Sequence, residues 1–377
     1  MLSYFEVFRV PTLPRSIGEL QGNRKGLPLQ SAESKYVTRL RWLLSVGFPM
    51  LLVFALISAC GGTTGGQGSQ QLTPMTLALD WTPNTNHTGI YVALAKNWYR
   101  DQRIDLKLLP YSSSVTPDTL VANGKADVGI GFTEGVVADA AVNQPVVSIA
   151  AIIQHNTSAL VTLASSGITR PRDLDGKTYG GFGAPYETPV ISQVIKHDGG
   201  RGAFKNVTVN VDPMEALKTH QVDFVWVYEG WEGIQAQREG MQLTTFPITS
   251  YGIPDYYSPV IITNSTTIKQ KSDLLHKFMK ATEQGYEYAR TNPKDAAQLL
   301  INTAPKGTFP DTGLVFSSQD FLSLRYAEPG HKWGIQDISA WRNYPTFILD
   351  AGGVTDASGK PVKSLNLNTF YTNQFLS

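Results

Sequence analysis

Four stretches of this chain gather aromatic, amide and carboxylate side chains directly after short apolar runs. The first is Leu79-Asp80-Trp81-Thr82-Pro83-Asn84-Thr85-Asn86-His87-Thr88-Gly89, and the second is Gly181-Phe182-Gly183-Ala184-Pro185-Tyr186-Glu187-Thr188-Pro189. The third is Val227-Tyr228-Glu229-Gly230-Trp231-Glu232, and the fourth is Gln154-His155-Asn156. A carboxylate accepts hydrogen bonds from an exocyclic amine and a protonated ring nitrogen, while aromatic planes stack on the faces of the same ring. No nucleophile–base pair accompanies them, so the set points to binding of a flat, nitrogen-rich small molecule, with no catalytic residue assigned. Each member also has a structural reading. Trp81 suits a core position, Glu187 suits the first turn of a helix, and Gln154–Asn156 suits the start of a loop. Glycines 181 and 183 let backbone approach a ligand closely, Pro189 fits a first helical turn, and Asn86 is the expected N-cap after Pro83.

Other chemistries are excluded by type and spacing. Six histidines (His87, His155, His197, His220, His276, His331) lack H-x-H or HExxH spacing, so no metal site is expected. There is no Gly-x-Ser-x-Gly elbow and no phosphate loop, and Gly180-Gly181-Phe182-Gly183 lacks the third dinucleotide glycine because position 186 is Tyr. No cofactor is expected. The net charge of +1 conceals a basic N-terminus: the first 59 residues carry seven Lys/Arg against three acids, leaving 25 basic and 28 acidic side chains beyond them. A slightly acidic body without a basic stripe argues against nucleic-acid binding. The single cysteine, Cys60, rules out an internal disulfide.

Arg39-Leu40-Arg41, the apolar run Trp42–Ala59 and Cys60 read as a secretory signal. Ile57-Ser58-Ala59-Cys60 resembles the lipobox of bacterial lipoproteins, in which the cysteine becomes the lipid-bearing N-terminus. A membrane span is the competing reading; at 18 residues with Pro49 inside, the run sits at the lower limit for crossing. Gly- and Gln-rich residues 60–73 form a flexible tether. Residues 37–59 are thus the expected signal, and residues 1–36 an extension upstream of the true start.

The elements that must position the loops alternate between strand and helix. Apolar runs of strand length occur at Met75–Asp80, Ile104–Pro110, Ala126–Gly131, Val146–Ile153, Ala159–Ala164, Lys177–Phe182, Val207–Val211, Val222–Tyr228 and Ser258–Thr263. Helical spacing separates them, and the C-terminal third reads as helices over Asp273–Thr291, Pro293–Thr303, Gln319–Tyr326 and Ile338–Ala351. This order predicts mainly parallel α/β sheets. The segment Asp118–Glu134 is echoed by Met214–Glu229: a helix end, a turn, an aspartate (Asp127, Asp223) and a strand closing on a glutamate. Two similar lobes would each present a glutamate, Glu134 and Glu229, past the carboxyl end of a strand, where ligands bind in open α/β sheets.

At these residues the chain resembles the extracytoplasmic binding proteins of ABC importers for thiamine-pyrimidine precursors, relatives of the fungal thiamine-pyrimidine synthases. The stretches that carry the resemblance are LDWTPNTNHTGIYVA from Leu79, GKADVGIG from Gly124, SGITRPRDLDGKTYGGFGAPYETPVI from Ser166 and FYTNQFL near the end. It implies the α/β type II periplasmic-binding-protein fold, two lobes on a two-crossover hinge, with residues 74–164 plus 255–377 as one lobe and 165–254 as the other. It also implies ligand contacts from Trp81, Asn84, His87, Tyr186 and Glu187; the strand-end argument adds Glu134, Glu229 and Trp231. The synthases have a cofactor-binding lysine and a reactive histidine where this chain has Gly131 and Gly135, and a cysteine-rich cluster that a body without internal cysteine cannot form. The implied function is a monomeric receptor, not an enzyme. Anchored to the membrane through lipid on Cys60, it would hand formylaminopyrimidine or hydroxymethylpyrimidine to a permease with a separate ATPase subunit. Riboflavin is an alternative ligand, and a pyrimidine-processing enzyme an alternative class.

Overall fold

Five parallel or antiparallel strands build each of two sheets. The computed structural model describes residues 71–112, 114–209 and 212–377; the predicted extension, signal and Cys60 lie outside the described residues. In chain order the strands are β1 (Thr73–Ala78), β2 (Ile104–Leu109), β3 (Val128–Gly131), β4 (Val146–Ala151), β5 (Ser158–Leu163), β6 (Thr178–Gly181), β7 (Lys205–Thr208), β8 (Phe224–Tyr228), β9 (Leu243–Pro247) and β10 (Val260–Asn264). One sheet runs β2-β1-β3-β10-β4 and the other β7-β6-β8-β5-β9. In the first sheet β10 is antiparallel to both neighbours, and in the second β5 is. The two sheets therefore share one order, with the odd strand in the same place, and the echoed segments end on the matching strands β3 and β8. The central strands are apolar without alternation, as expected for strands covered on both faces: Val128-Gly-Ile-Gly131 is wholly buried.

The lobe boundary differs from the sequence reading. Ser158–Leu163 pairs with β8 and β9, so the first crossover falls at residues 152–157 and not after Ala164. Ala164–Ser166, at the expected boundary, is a single 3-10 turn closed by Gly167 at φ +75°. The second crossover lies between Pro247 and Val260. Strand β9, Leu243–Pro247, is absent from the strands expected from sequence; its antiparallel pairing with β5 makes it a sheet edge. The helix expected at Gln319–Tyr326 spans Thr312–Ser323, because the Asp311 carboxylate accepts from Gly313 N and starts the helix a full two turns earlier.

The described residues from 71 to 377 belong to one compact unit. Leu77, Val92, Ile149 and Trp333 belong to a core within the first lobe, and Val161, Leu217 and Val225 to one within the second. A third cluster runs from Val136 and Val260 into Ile191, Phe224 and Tyr344, joining the lobes through continuous apolar packing. The first site loop is fixed from behind by two glycines. A Cβ on Gly89 would stand 2.3 Å from the Tyr286 ring, and one on Gly285 would stand 2.0 Å from the Gly89 carbonyl oxygen. Helix Thr88–Ala95 can therefore cross helix Ser272–Thr291 only with both side chains absent.

Candidate functional site

The loops after β1 and β3 in the first lobe and after β6 and β8 in the second occupy equivalent sheet edges, and their side chains act on one another across the lobes. Burial first, and then the Glu134 carboxylate, holds the Tyr186 and Tyr228 hydroxyls above the usual phenol range, although both tyrosines belong to the opposite lobe. Asp80 adds to the effect on Tyr228, and Asp118 to that on Tyr186. The crossover residue Tyr256 and the helix residue Tyr344 complete the group. Their rings stack 3.6 Å apart at 4°, and the Tyr344 hydroxyl donates to Glu134 Oε1 at 2.8 Å. Glu134 is 5% exposed, and burial raises its pKa. The Tyr256 hydroxyl, fully buried beside it, has no hydrogen-bond partner among the described residues. No Lys or Arg pairs with Asp80, Asp118, Glu134 or Asp139 among the described residues; Asp80 is bonded to a histidine alone. The cleft is thus acidic, aromatic and poor in cations.

The residues expected from sequence fall into two groups. Trp81, 40% exposed, lies against Tyr111 at 4.7 Å, and so offers a ring face instead of filling the core. Tyr186 is half-buried, packed edge-on against Trp226 at 6.3 Å, and faces Glu134. Glu229 is half-buried, its pKa raised by burial and tempered by Arg325. None of these three side chains is taken up by a hydrogen bond among the described residues.

The others are occupied by the fold. Asn84, and not Asn86, is the cap: its side chain accepts from Asn86 N at 2.9 Å and donates to Thr82 O at 3.2 Å. His87 is fully buried, with Nδ1 accepting from Asn84 N at 3.3 Å and Nε2 donating to Asp80 Oδ1 at 2.7 Å. Its role is to lock the loop that carries Trp81. Glu187, 1% exposed, accepts from the Tyr179 hydroxyl (2.7 Å) and the backbone amides of Phe182 (3.0 Å), Gly183 (2.7 Å) and Ala184 (2.8 Å). Those four donors fold the glycine loop around the carboxylate. Trp231 turns away through the π-helical turn Glu229–Gly233 and packs on Phe309 at 6.4 Å, beside the cluster of Tyr91 and Val315 in the first lobe. The Ser318 hydroxyl bonds to Gly230 O and the Arg238 guanidinium forks onto Asp311 at 2.8 and 2.9 Å, so this whole face is an interlobe seam.

Asp118, Asp139, Tyr228, Tyr256, Tyr344 and Phe182 lie near these groups without having been among the expected contacts. Phe182 is 62% exposed one residue past β6, and Trp81 lies three residues past the equivalent strand β1. Glu232 folds back on Tyr228 N at 3.1 Å, and burial pushes it up to about 7. The fourth loop makes a hinge clasp: His155 of the first crossover bonds Asp255 of the second at 2.5 Å and Glu328 at 2.9 Å. The bond to Asp255 is the main reason its pKa rises to about 9. No group of His, Cys, Asp and Glu able to hold a metal occurs among the described residues, and no helix there is long and apolar enough to cross a membrane.

Strand order, two crossovers and loops at matching sheet edges define a type II periplasmic-binding-protein fold. Solved structures agree. The alkanesulfonate-binding protein SsuA of Xanthomonas axonopodis superposes with a TM-score of 0.61 at 10% identity, covering 80% of this chain and 99% of that one. A putative sulfonate-binding SsuA of Methylobacillus flagellatus gives 0.57 at 17% identity, covering 81% and 93%. The chain belongs to the NMT1/THI5-like family, whose profile matches residues 84–296, more than half its length. Among curated relatives, the formylaminopyrimidine-binding protein of Halalkalibacterium halodurans is 25% identical over 304 residues, covering 79% of this chain and 91% of that protein. The 4-amino-5-hydroxymethyl-2-methylpyrimidine phosphate synthase of Aspergillus parasiticus is 23% identical, covering 80% and 87%.

Proposed function

We propose that this protein is an extracytoplasmic solute-binding receptor that delivers a thiamine-pyrimidine precursor, formylaminopyrimidine or hydroxymethylpyrimidine, to a membrane permease powered by a separate ATPase subunit. The observation that carries the reading is the cation-poor cleft. Asp80, Asp118 and Glu134 face Tyr186 and Tyr228 with no Lys or Arg paired to the carboxylates among the described residues. An amine-rich ring gains charge-assisted hydrogen bonds there, whereas a sulfonate would meet like charge. Trp81 in one lobe and Phe182 in the other are exposed at strand ends and supply stacking faces. Lobe closure over the ring would exclude water and present a joint surface to the permease. A non-catalytic role is supported by Gly131 and Gly135, which stand where the resemblance to the synthases calls for a lysine and a histidine. Cys60 is the proposed site of lipid attachment, with the tether holding the monomeric receptor off the membrane.

The test is to purify residues 66–377 without denaturant, release bound molecules by heat, identify them by mass spectrometry and titrate candidates by calorimetry. A colourless aminopyrimidine, with no binding of taurine, is expected. A yellow flavin would replace the ligand and retain the receptor; turnover of the pyrimidine would overturn the receptor reading.

A further inference from the structure

A groove of about 530 Å³ opens at the edge of the first sheet opposite the site loops. Thr73, the first residue of β1, and Arg103, the residue before β2, both line it, and Thr73 N donates to Arg103 O at 2.8 Å. Lys269, Lys271, Asp273 and Lys277 line it from helix Ser265–Gln270, helix Ser272–Thr291 and the residue between them. Strand β1 is six residues long, so the groove at its amino end stands about 20 Å from its carboxyl end, where the loop carrying Trp81 begins. Charge gathers here against the trend of the chain. Beyond residue 59 acids outnumber bases, 28 to 25, yet four of the groove's five charged residues are cations, all of them exposed. Asp273 stands in the first turn of its helix, where it answers the helix dipole. Lys271 pairs with Asp127 at 2.5 Å, whereas Arg103, Lys269 and Lys277 form no ion pair among the described residues. No basic run in the sequence announces the cluster, because Arg103 reaches Thr73 only through the pairing of β1 with β2. The groove is also where the body meets its tether. Residues 61–72 carry no charged side chain and separate Thr73 from Cys60. A Gly-rich stretch of that length spans about 20 Å root-mean-square, so lipid on Cys60 would hold this edge nearer the bilayer than the site loops.

We propose that this groove docks the body on acidic phospholipid headgroups, with Arg103, Lys269 and Lys277 contacting lipid phosphates. The negative surface potential of an anionic leaflet draws in such a cluster once the tether holds it near the surface. Ammonium and guanidinium groups then form charge-assisted bonds to phosphate oxygens. In that pose the site loops point away from the bilayer, toward arriving solute. Handing the solute to a permease then requires release of the groove and reorientation on the tether. The choice of occupant rests on the anchored-receptor reading; the charge of the groove does not.

The experiment sediments residues 66–377, which lack Cys60 and hold both sheets, with vesicles of phosphatidylglycerol and phosphatidylcholine and with vesicles of phosphatidylcholine alone. The body should associate with the first kind and not the second, and added salt should release it. Lys269→Glu combined with Lys277→Glu should weaken association by about tenfold or more, each cation near the surface being worth about fivefold, with the melting temperature unchanged. Lys205→Glu combined with Lys218→Glu makes the same charge change at exposed positions of the second lobe and should associate as the parent does. Equal losses in the two double variants, or no preference for phosphatidylglycerol, overturn the proposal. Calorimetric binding of inorganic phosphate without vesicle association makes the groove a soluble-anion site and overturns the membrane assignment. Vesicle association by the body, with no lipid found on Cys60 of the full chain by mass spectrometry, supports the groove as a lipid contact and overturns the anchor instead.

Discussion

Each lobe buries a glutamate in the first turn of a helix that follows a central strand, and the two have opposite fates. Glu187 in the second lobe receives four hydrogen bonds, three of them from backbone amides, and its charge is spent on folding the loop Phe182–Ala184. Glu134 in the first lobe receives one tyrosine hydroxyl, lies beside a second tyrosine that has no partner, and has its pKa raised by burial. Both stand in a first helical turn, Glu187 as the first residue and Glu134 as the second; the number of donors differs. A saturated carboxylate stabilises structure, and an undersupplied one remains available for a ligand.

The sharpest way to break this comparison is Glu187→Gln, which sets an amide against donors that need an acceptor. We expect a loss of about 3 kcal/mol in stability, the scale for orphaning buried donors of a charged acceptor, read by urea unfolding. Unchanged unfolding would remove Glu187 from its structural role. Glu134→Gln should act on binding instead. Because the folded-state pKa of Glu134 is raised, its ionisation destabilises the native state: stability is greatest below the ordinary glutamate value near ~4.3 and falls as pH rises through the raised one. The Gln variant should lose that slope in thermal melts while ligand affinity drops by about 1.5 kcal/mol, the order of one charge-assisted bond. A variant whose pH slope matches the parent would contradict the burial argument. The smallest effect expected is Trp81→Ala, a loss of about 1 kcal/mol in ligand affinity with unfolding unchanged, since the ring is exposed and removes only a stacking face. Equal affinity by calorimetry would take Trp81 out of the site.

The lobed α/β architecture was legible because strand-length apolar runs alternate with helical spacing and because Asp118–Glu134 and Met214–Glu229 repeat one pattern. Both signals are local. The boundary at Ala164 and the missing strand Leu243–Pro247 failed together for a single reason: β5 and β9 are assigned by pairing with each other, and nothing in either segment's own residues declares a partner 80 residues away. The site divided in the same manner. Trp81 and Tyr186 came from the family resemblance and Glu134 and Glu229 from strand ends; the fold leaves Trp81 exposed and the other three short of hydrogen-bond partners. Asn84, His87 and Glu187, implied by the same resemblance, are bonded into their own loops, because a polar acceptor at a turn satisfies backbone N–H groups as readily as a ligand. Tyr256 and Tyr344 gave no signal, one lying in a crossover and the other on a C-terminal helix, and they reach Glu134 only through the fold.

The shared strand order also dictates the sequence of events during synthesis. The second sheet is drawn wholly from Ser158–Pro247 and is complete once that stretch has been made. The first sheet is not: β4 joins it only through β10, and the bridges from Ser148 and Ala151 go to Tyr371 and Gly334. Until the ribosome has delivered Val260–Asn264, β3 and β4 each keep an unpaired apolar edge, the kind of surface that invites pairing with other chains. The lobe made first is therefore the lobe finished last, and the interval in which this chain needs protection from aggregation is set by the length of the lobe inserted into it.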